Sequence, residues 1–587
     1  MNYTVIIHDR NYTSWTYYEF DTFKEVSLPF IPLDHELFSN DVFTVSDSLE
    51  NLKIIKSPIR DSVNIPGILI LKNNRTFGRD IKNRLLYKCI PDDIRIPCFL
   101  IPFEIKYMGF SKTMENRYIT FDFHHWDKKP PHGIINQNIG PNDSLSSYYE
   151  YQLYCKNLNT SIQSFIKATS KALQKASHEA YIETIENKYH TMENRTEWSV
   201  FTIDPEDSVD FDDGFSIRSH DSLIQISIYI SNVSIWLETL HLWESFSQRI
   251  ATIYLPDRKR PMLPCMLSEG LCSLQAGNKR FALAMDIDID SDTMEIKTIN
   301  YKNVVIKVRC NYRYEESKLL ADPEYQYLLK TVVSLSKENH YLRQMKDSHD
   351  VVAYLMILMN HKTAQRMKTY NNGIFRSVLL KKDTIIPESV PEDVSQFLNV
   401  WNSNAAEYIN LEKINESISV KHDILNMEAY IHITSPIRRL VDLLNIIQLQ
   451  QNLGLIDITE SMTTFYKKWT DNLEYINTIM RSIRRVQNDC AMLAFCTEHP
   501  YVMEQMYTGY VFDKYARNDS LFEYAVFLPE MKMVSRIVIH DDLNNYGSYT
   551  FQIYLFENEE KLKKKIRVQL RCPCKDIIQT PPKREML

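Results

Sequence analysis

WSVFTIDPEDSVDFDDGFSI, residues 198–217, carries four aspartates at close spacing, Asp204, Asp210, Asp212 and Asp213, with Glu206 and Asp207 beside them. The lead-in, Trp198 to Ile203, is apolar and β-branched or aromatic, and predicts a buried strand. Pro205 ends ladder pairing, which puts the acids on the loop at the strand's exit. Asp210 and Asp212, two apart, point to one side of an extended chain. Asp213 and Gly214 predict a sharp turn that brings Asp204 and Asp213 into one pocket. Carboxylates this crowded repel one another, and some protonate unless a cation neutralises them. Oxygen donors without His or Cys suit Mg²⁺ or Mn²⁺ rather than Zn²⁺. Two such ions about 3.5–4 Å apart activate a water and stabilise the leaving oxygen of a phosphodiester. A solvated acidic loop and a calcium loop are the other readings. The calcium spacing fails: counted from Asp210, Gly214 falls at the third oxygen position and Phe215 at the turn glycine.

A second stretch, YIHITSPIRRLVDLLN, residues 430–445, places Arg438 and Arg439 behind a proline and runs into an amphipathic helix. Pro436 suits a first helical turn capped by Ser435 or Thr434. Arginine beside a helix N-terminus makes an anion site, and its fork grips phosphate through two parallel bonds. With residues 254–280, YLPDRKRPMLPCMLSEGLCSLQAGNKR, these stretches resemble the RNB family, the catalytic domain of RNase II, RNase R and the catalytic subunit of the eukaryotic RNA exosome. The family patterns are approximately TIDP-x-D/T-A-x-D-x-DDA, YLP…PMLP…LS…LCSL…R and FTSPIRRY-x-D, here in the same order.

The 587 residues allow several domains, and 44% hydrophobic with 24% charged content is ordinary for a globular protein. A net charge of −7 argues against a polybasic nucleic-acid coat but leaves room for a basic channel. No apolar run has the length of a membrane span and the N-terminus lacks a signal-peptide build. Ten cysteines without CxxC pairs predict a reduced, intracellular setting, cytoplasmic or nuclear.

The expected fold class is a mixed α/β and all-β multidomain chain, an α/β catalytic domain flanked by OB-fold barrels. Residues 1–30 read as an N-terminal extension, 31–90 as a cold-shock-like barrel, 91–158 as a second, 159–189 as a helical connector, 190–500 as the RNB-like domain, 501–575 as an S1-like barrel and 576–587 as a tail. Such barrels bind single strands with aromatic and basic residues, for which Phe121, Phe123, His124, Trp126, Lys128 and Lys129 are the candidates, barrel core being the other reading for the aromatics. SLIQISIYISNVSIWL reads as a strand entering a helix that continues to Tyr254. Residues 303–316 place Lys307, Arg309 and Arg313 among aromatics, as in a channel wall.

The resemblance implies a processive 3′→5′ exoribonuclease that hydrolyses single-stranded RNA to nucleoside 5′-monophosphates with two Mg²⁺ or Mn²⁺ ions. In it Asp204, Asp210 and Asp213 ligate metal, Asp212 acts at the second ion or orients the attacking water, and Arg438 holds the scissile phosphate. Tyr254 stacks on the 3′-terminal base. Arg439, Tyr314 and Asn360 complete the expected RNA contacts, Asn360 closing a family Ala-Asn step that here is Met359-Asn360. A stand-alone monomer is expected rather than an exosome-like subunit. The chain departs from the family at Gly214 (usually Ala), at Leu440 and Ile446 (usually Tyr and His), at Gln487 (Glu in bacterial members), and at Ala353 and Tyr354, where two Glu usually stand. One of those Glu reads a ribose 2′-hydroxyl, so discrimination against DNA is expected to weaken unless Tyr312 or Tyr314 substitutes. A family fold that only binds RNA is the alternative.

Overall fold

In the computed structural model the described residues are 1–45, 52–72, 75–104, 114–127, 130–338, 341, 345–380, 385–413, 419–558 and 562–572. They form two compact units, one of Met1–Asn159, Leu255–Asp257 and Arg485–Leu587, the other of Thr160–Tyr254 and Arg258–Arg484. Lys128, Lys129 and the expected tail lie outside the described residues.

The first unit opens on a five-stranded sheet. Its strands are β1 (Asn2–Ile7), β2 (Trp15–Glu19), β3 (Glu25–Val26), β4 (Val42–Val45) and β5 (Leu52–Lys56), in the order β3-β2-β1-β4-β5. After α1 (Pro58–Asp61) comes a closed barrel of β6 (Ile65–Leu69), β7 (Leu86–Pro91), β8 (Phe99–Pro102), β9 (Arg117–His125) and β10 (His132–Pro141). Then comes α2 (Leu145–Cys155), whose Tyr151 stacks on Tyr118 of β9. The expected extension over 1–30 is corrected here, because strand pairing starts at Asn2. Residues with no motif, such as Val5, Ile7 and Tyr17, alternate into a core shared with Phe43 and Phe99. The second barrel accordingly starts at Ile65 rather than at 91.

In the second unit α3 (Gln163–Leu173) and α4 (His178–Lys188) fill the expected connector. A closed barrel comes next: β11 (Glu193–Asp204), β12 (Asp213–His220) and β13 (Leu223–Ser231), then, after α5 (Val233–Thr239) and the hairpin β14 (Ile253–Tyr254) with β15 (Lys259–Arg260), β16 (Lys279–Asp290) and β17 (Ile296–Arg313). The ring order is β11-β12-β13-β16-β17, closed by parallel pairing of β17 with β11. Period-two alternation sends Ile226, Ile228 and Ile230 into a core with Leu328, Val332 and Leu355, and Tyr229 to the other face with Val200 and Ala284. The helix expected to reach Tyr254 stops at Thr239, where the chain turns through His241 at a φ of 53°. Past the barrel come α6 (Ser317–Leu320), α7 (Pro323–Glu338), α8 (Ser348–Thr369), β18 (Ile374–Ser377), α9 (Glu392–Trp401), β19 (Glu407–Asn410), α10 (Leu440–Asn452), α11 (Glu460–Thr470) and α12 (Leu473–Glu498). The last strands belong to the first unit: β20 (Met506–Ala516), β21 (Phe522–Leu528), β22 (Met533–Ile539), β23 (Ser548–Asn558) and β24 (Lys563–Cys572) form a five-stranded sheet around Val511, Tyr524 and Phe551. No described helix is long and apolar enough to cross a membrane.

Candidate active site

The acids sit where β11 hands over to β12. Asp204 is the last residue of β11 and Asp213 the first of β12, and Phe201 lies opposite Phe215. That antiparallel register, not a turn at Asp213-Gly214, brings the two carboxylates together; Gly214 is itself a strand residue paired with Tyr229. The loop between them is held from outside. Ser273 accepts from the amide of Phe211 (3.0 Å) and donates to the carbonyl of Val209 (2.9 Å), while the amide of Leu274 donates to the carbonyl of Phe211 (3.0 Å). Arg280 in turn donates to the carbonyls of Ser273 and Gly270. The LCSL…R stretch is therefore the brace of the acidic loop.

The segment before α10 arrives from the other side. The amide of Ile437 donates to Asp212 Oδ1 (2.9 Å), and Arg438 Nε lies 3.3 Å from Asp212 Oδ2. Arg438 also donates to Ser435 Oγ (3.1 Å). The helix starts at Leu440, not at Pro436 as the proline and its caps predict. Arg439 is extended (φ −145°, ψ 120°), and the backbone here pairs with residues 250–252: Thr252 donates to the carbonyl of Arg438 and Leu440 to that of Ile250. Strand-like pairing outcompetes the first helical turn, and it ties the arginine segment to the chain entering β14.

Burial drives the electrostatics. It pushes the Asp212 carboxyl up to about 8, against the pull of Arg438 and of the Ile437 amide. Asp204 is raised by burial and by the charges of Asp212 and Asp210, and Asp213 by burial and by Asp204, each against the pull of Arg438. Asp204 Oδ2 is buried and has no hydrogen-bond partner. Asp210 differs: Lys259 Nζ lies 2.8 Å from its Oδ1 and 2.9 Å from Glu269 Oε1. Among the described residues no group of three or more His, Cys, Asp or Glu side chains is gathered to hold a metal ion as the side chains stand. The all-oxygen donor set and the orphaned Asp204 oxygen nevertheless fit a hard divalent cation.

Two aromatic residues flank the acids. Tyr254, 43% exposed, feels the charges of Arg438, Asp210 and Asp212. Tyr314 donates its amide to the carbonyl of Asp204 (3.0 Å), feels Asp213 and Asp204, and stacks on His349 with ring centroids 3.6 Å apart. Lys259, Ser273 and His349 were not singled out by the motif spacing.

A family model for the RNB domain matches residues 192–327 and 317–454. The chain carries an RNB domain. It is 26% identical to ribonuclease R of Helicobacter pylori over 365 residues, which cover 50% of this chain and 54% of that protein. Across the first curated relatives the chain spans between 18% and 58% of their length. The fold matches the apo form of Mycoplasma genitalium RNase R with a TM-score of 0.67 at 16% identity, covering 97% of this chain and 95% of that one. It also matches yeast Ssd1, a pseudonuclease, with a TM-score of 0.58 at 14% identity, covering 94% and 80%.

Within the RNB domain several residues expected at RNA also brace the fold or pair with neighbouring acids. Arg439 grips Asp442 with both nitrogens (2.6 and 2.8 Å), and Asp442 also accepts from the amide of Ser435 (2.8 Å). Asn360 is buried, donates to Tyr430 Oη (3.1 Å) and accepts from the amide of Ile433 (3.0 Å), so both ends of its amide hold the segment leading to Arg438. Arg309 is tied to Asp322 (2.6 Å) and Glu324 (3.2 Å), and Arg313 to Glu206 (2.5 Å). Tyr312 donates to Asp322 from a buried position and is no reader of a ribose. In the first unit Trp126 is 6% exposed and packs on Phe38 (4.7 Å between centroids), so its ring is core, as is that of Phe121. The departures at Leu440, Ile446 and Tyr354 are fully buried apolar or aromatic side chains, absorbed as packing.

Proposed function

We propose that the protein is a metal-dependent, processive 3′→5′ exoribonuclease that hydrolyses single-stranded RNA to nucleoside 5′-monophosphates. The joining of Asp212 to Ile437 and Arg438 carries this reading: it sets a guanidinium against a buried carboxylate cluster, the pairing that phosphodiester hydrolysis needs. The ribonuclease R relatives support it.

Asp204 and Asp213 would hold a divalent cation, with Asp212 and Asp210 beside them. A bound Mg²⁺ or Mn²⁺ supplies Lewis-acid polarisation of the phosphodiester and a more acidic water. Arg438, its side chain 48% exposed, presents its free face to a phosphate and offsets charge that builds on the phosphoryl oxygens. Its Nε stays on Asp212, which orients the fork before substrate arrives. Tyr254 offers an exposed ring for stacking on a base, and Tyr314 with His349 a second aromatic surface beside the acids.

A second reading, an RNA-binding RNB fold without cleavage, draws on the likeness to the pseudonuclease. A gel time course with 5′-labelled single-stranded RNA in Mg²⁺, Mn²⁺ or EDTA separates the two. Metal-dependent shortening to a small end product without intermediates, lost in Asp212→Asn, is expected. Tight binding with intact RNA under every metal establishes the scaffold instead.

A further inference from the structure

Each acid of the centre has a different means of neutralisation. Asp212 has the Ile437 amide and Arg438. Asp210 has Lys259, whose side chain is 25% exposed against 12% for Asp210, so water competes weakly for the pair. Lys259 is not a wandering surface lysine: the β14–β15 hairpin sets it opposite Tyr254, and Glu269 grips it from the far side. Asp204 and Asp213 stand at the adjoining ends of β11 and β12, within reach of the Arg438 charge but in no ion pair among the described residues, and Asp204 Oδ2 is buried without a hydrogen-bond partner. The carboxylates of the centre without a directly paired cation are thus these two.

We propose that the Lys259 ammonium serves as the second cation of this centre, so that the protein takes up one divalent ion, at Asp204 and Asp213, where a two-ion centre takes up two. The inference rests on the nuclease reading above. An ammonium carries one charge and three N–H donors. Two point at Asp210 and Glu269, and the third remains for a phosphoryl or leaving oxygen. It offsets charge, but it does not acidify a bound water as a divalent ion does. Water activation therefore falls to the Asp204–Asp213 side and charge compensation to the Asp210 side.

Counting Mn²⁺ bound to the full chain without RNA, by titration calorimetry and by loss of the free-ion paramagnetic resonance signal, tests this. Sites are taken as the difference from Asp204→Asn. One ion in the wild type and in Lys259→Arg, rising to two in Lys259→Met, is expected. The Mg²⁺ dependence of RNA cleavage steepens in parallel in Lys259→Met. Two ions in the wild type, or one in Lys259→Met with an unchanged thermal melt, overturns the proposal. If Lys259→Met does not fold, the wild-type and Lys259→Arg counts still decide it, since two ions in either contradicts it. No ion in the wild type, or Asp204→Asn binding as the wild type does, overturns the nuclease reading beneath it.

Discussion

Asp212 and Arg438 meet at 3.3 Å across 226 positions of sequence, and the neighbouring amide of Ile437 closes on the same carboxylate at 2.9 Å. A single aspartate thus docks the Arg438 segment onto the acidic loop. Arg438→Lys keeps a charge but loses the fork that reaches both Asp212 and Ser435. The turnover rate is expected to fall by about 10²-fold, with KM for RNA changed far less, because the lost interaction strengthens as charge builds on the phosphate. Single-turnover and steady-state cleavage assays separate the two quantities.

Arg439, next in the chain, behaves differently. It is the bidentate partner of Asp442, whose side chain is fully buried. Arg439→Ala strands that carboxylate and is expected to cost about 3–5 kcal/mol of stability, read as a lower urea midpoint. Arg438→Ala, whose side chain is half exposed, is expected to cost much less stability and far more activity.

Asn360→Leu removes a buried donor and acceptor at once from Tyr430 and Ile433. About 1–3 kcal/mol of destabilisation is expected. Because those bonds hold the segment that delivers Arg438, cleavage is expected to slow while RNA affinity in EDTA stays near wild type. A variant with normal cleavage and weak RNA binding makes Asn360 a direct RNA contact after all.

Asp322 gives the chain a definite acid response. Burial alone raises its carboxyl, but the Tyr312 hydroxyl, the amides of Tyr325 and Glu324, and Arg309 outweigh burial and hold it below the ordinary 3.8. A folded-state value below the unfolded one means the unfolded chain binds more protons, so this stabilisation is full above about 3.8 and fades as pH falls through the folded value. Asp322→Asn is expected to be less stable than wild type at neutral pH, with the gap narrowing below pH 3.8 in thermal melts.

Trp126→Ala and Tyr254→Ala are expected to part cleanly. Trp126 is core, so its loss costs about 3–5 kcal/mol of stability and leaves the affinity of the folded molecules alone. Tyr254 is exposed, so its loss spares stability and weakens RNA binding by about 1–3 kcal/mol, measured by filter binding.

The four aspartates and Arg438 are legible from sequence because carboxylate crowding and a proline-led arginine pair are local signals. The separate fates of the two arginines are not legible. Nothing local tells Arg438 from Arg439, and the structure sends one to Asp212 and the other to Asp442. Lys259 hides among Arg258, Lys259 and Arg260, and only the register of the β14–β15 hairpin turns it to Asp210. The start of α10 is misread because caps are local while the pairing of residues 438–440 with 250–252 is not. The barrels show the same division. Alternation marks the strands of the RNB barrel plainly, whereas the N-terminal strands are short and aromatic, and their pairing comes only from partners such as Val42 to Thr44.

The brace on the acidic loop also bears on when the site is assembled. Phe211 is fastened by Ser273 and Leu274, and Asp212 by residues more than 200 positions further on. Such contacts form late, after the long loops between them have closed. A ribosome-bound chain that ends short of Arg438 holds every aspartate yet lacks the fork beside them. For the proposed nuclease, the site is then completed with the whole fold and not with the acids alone.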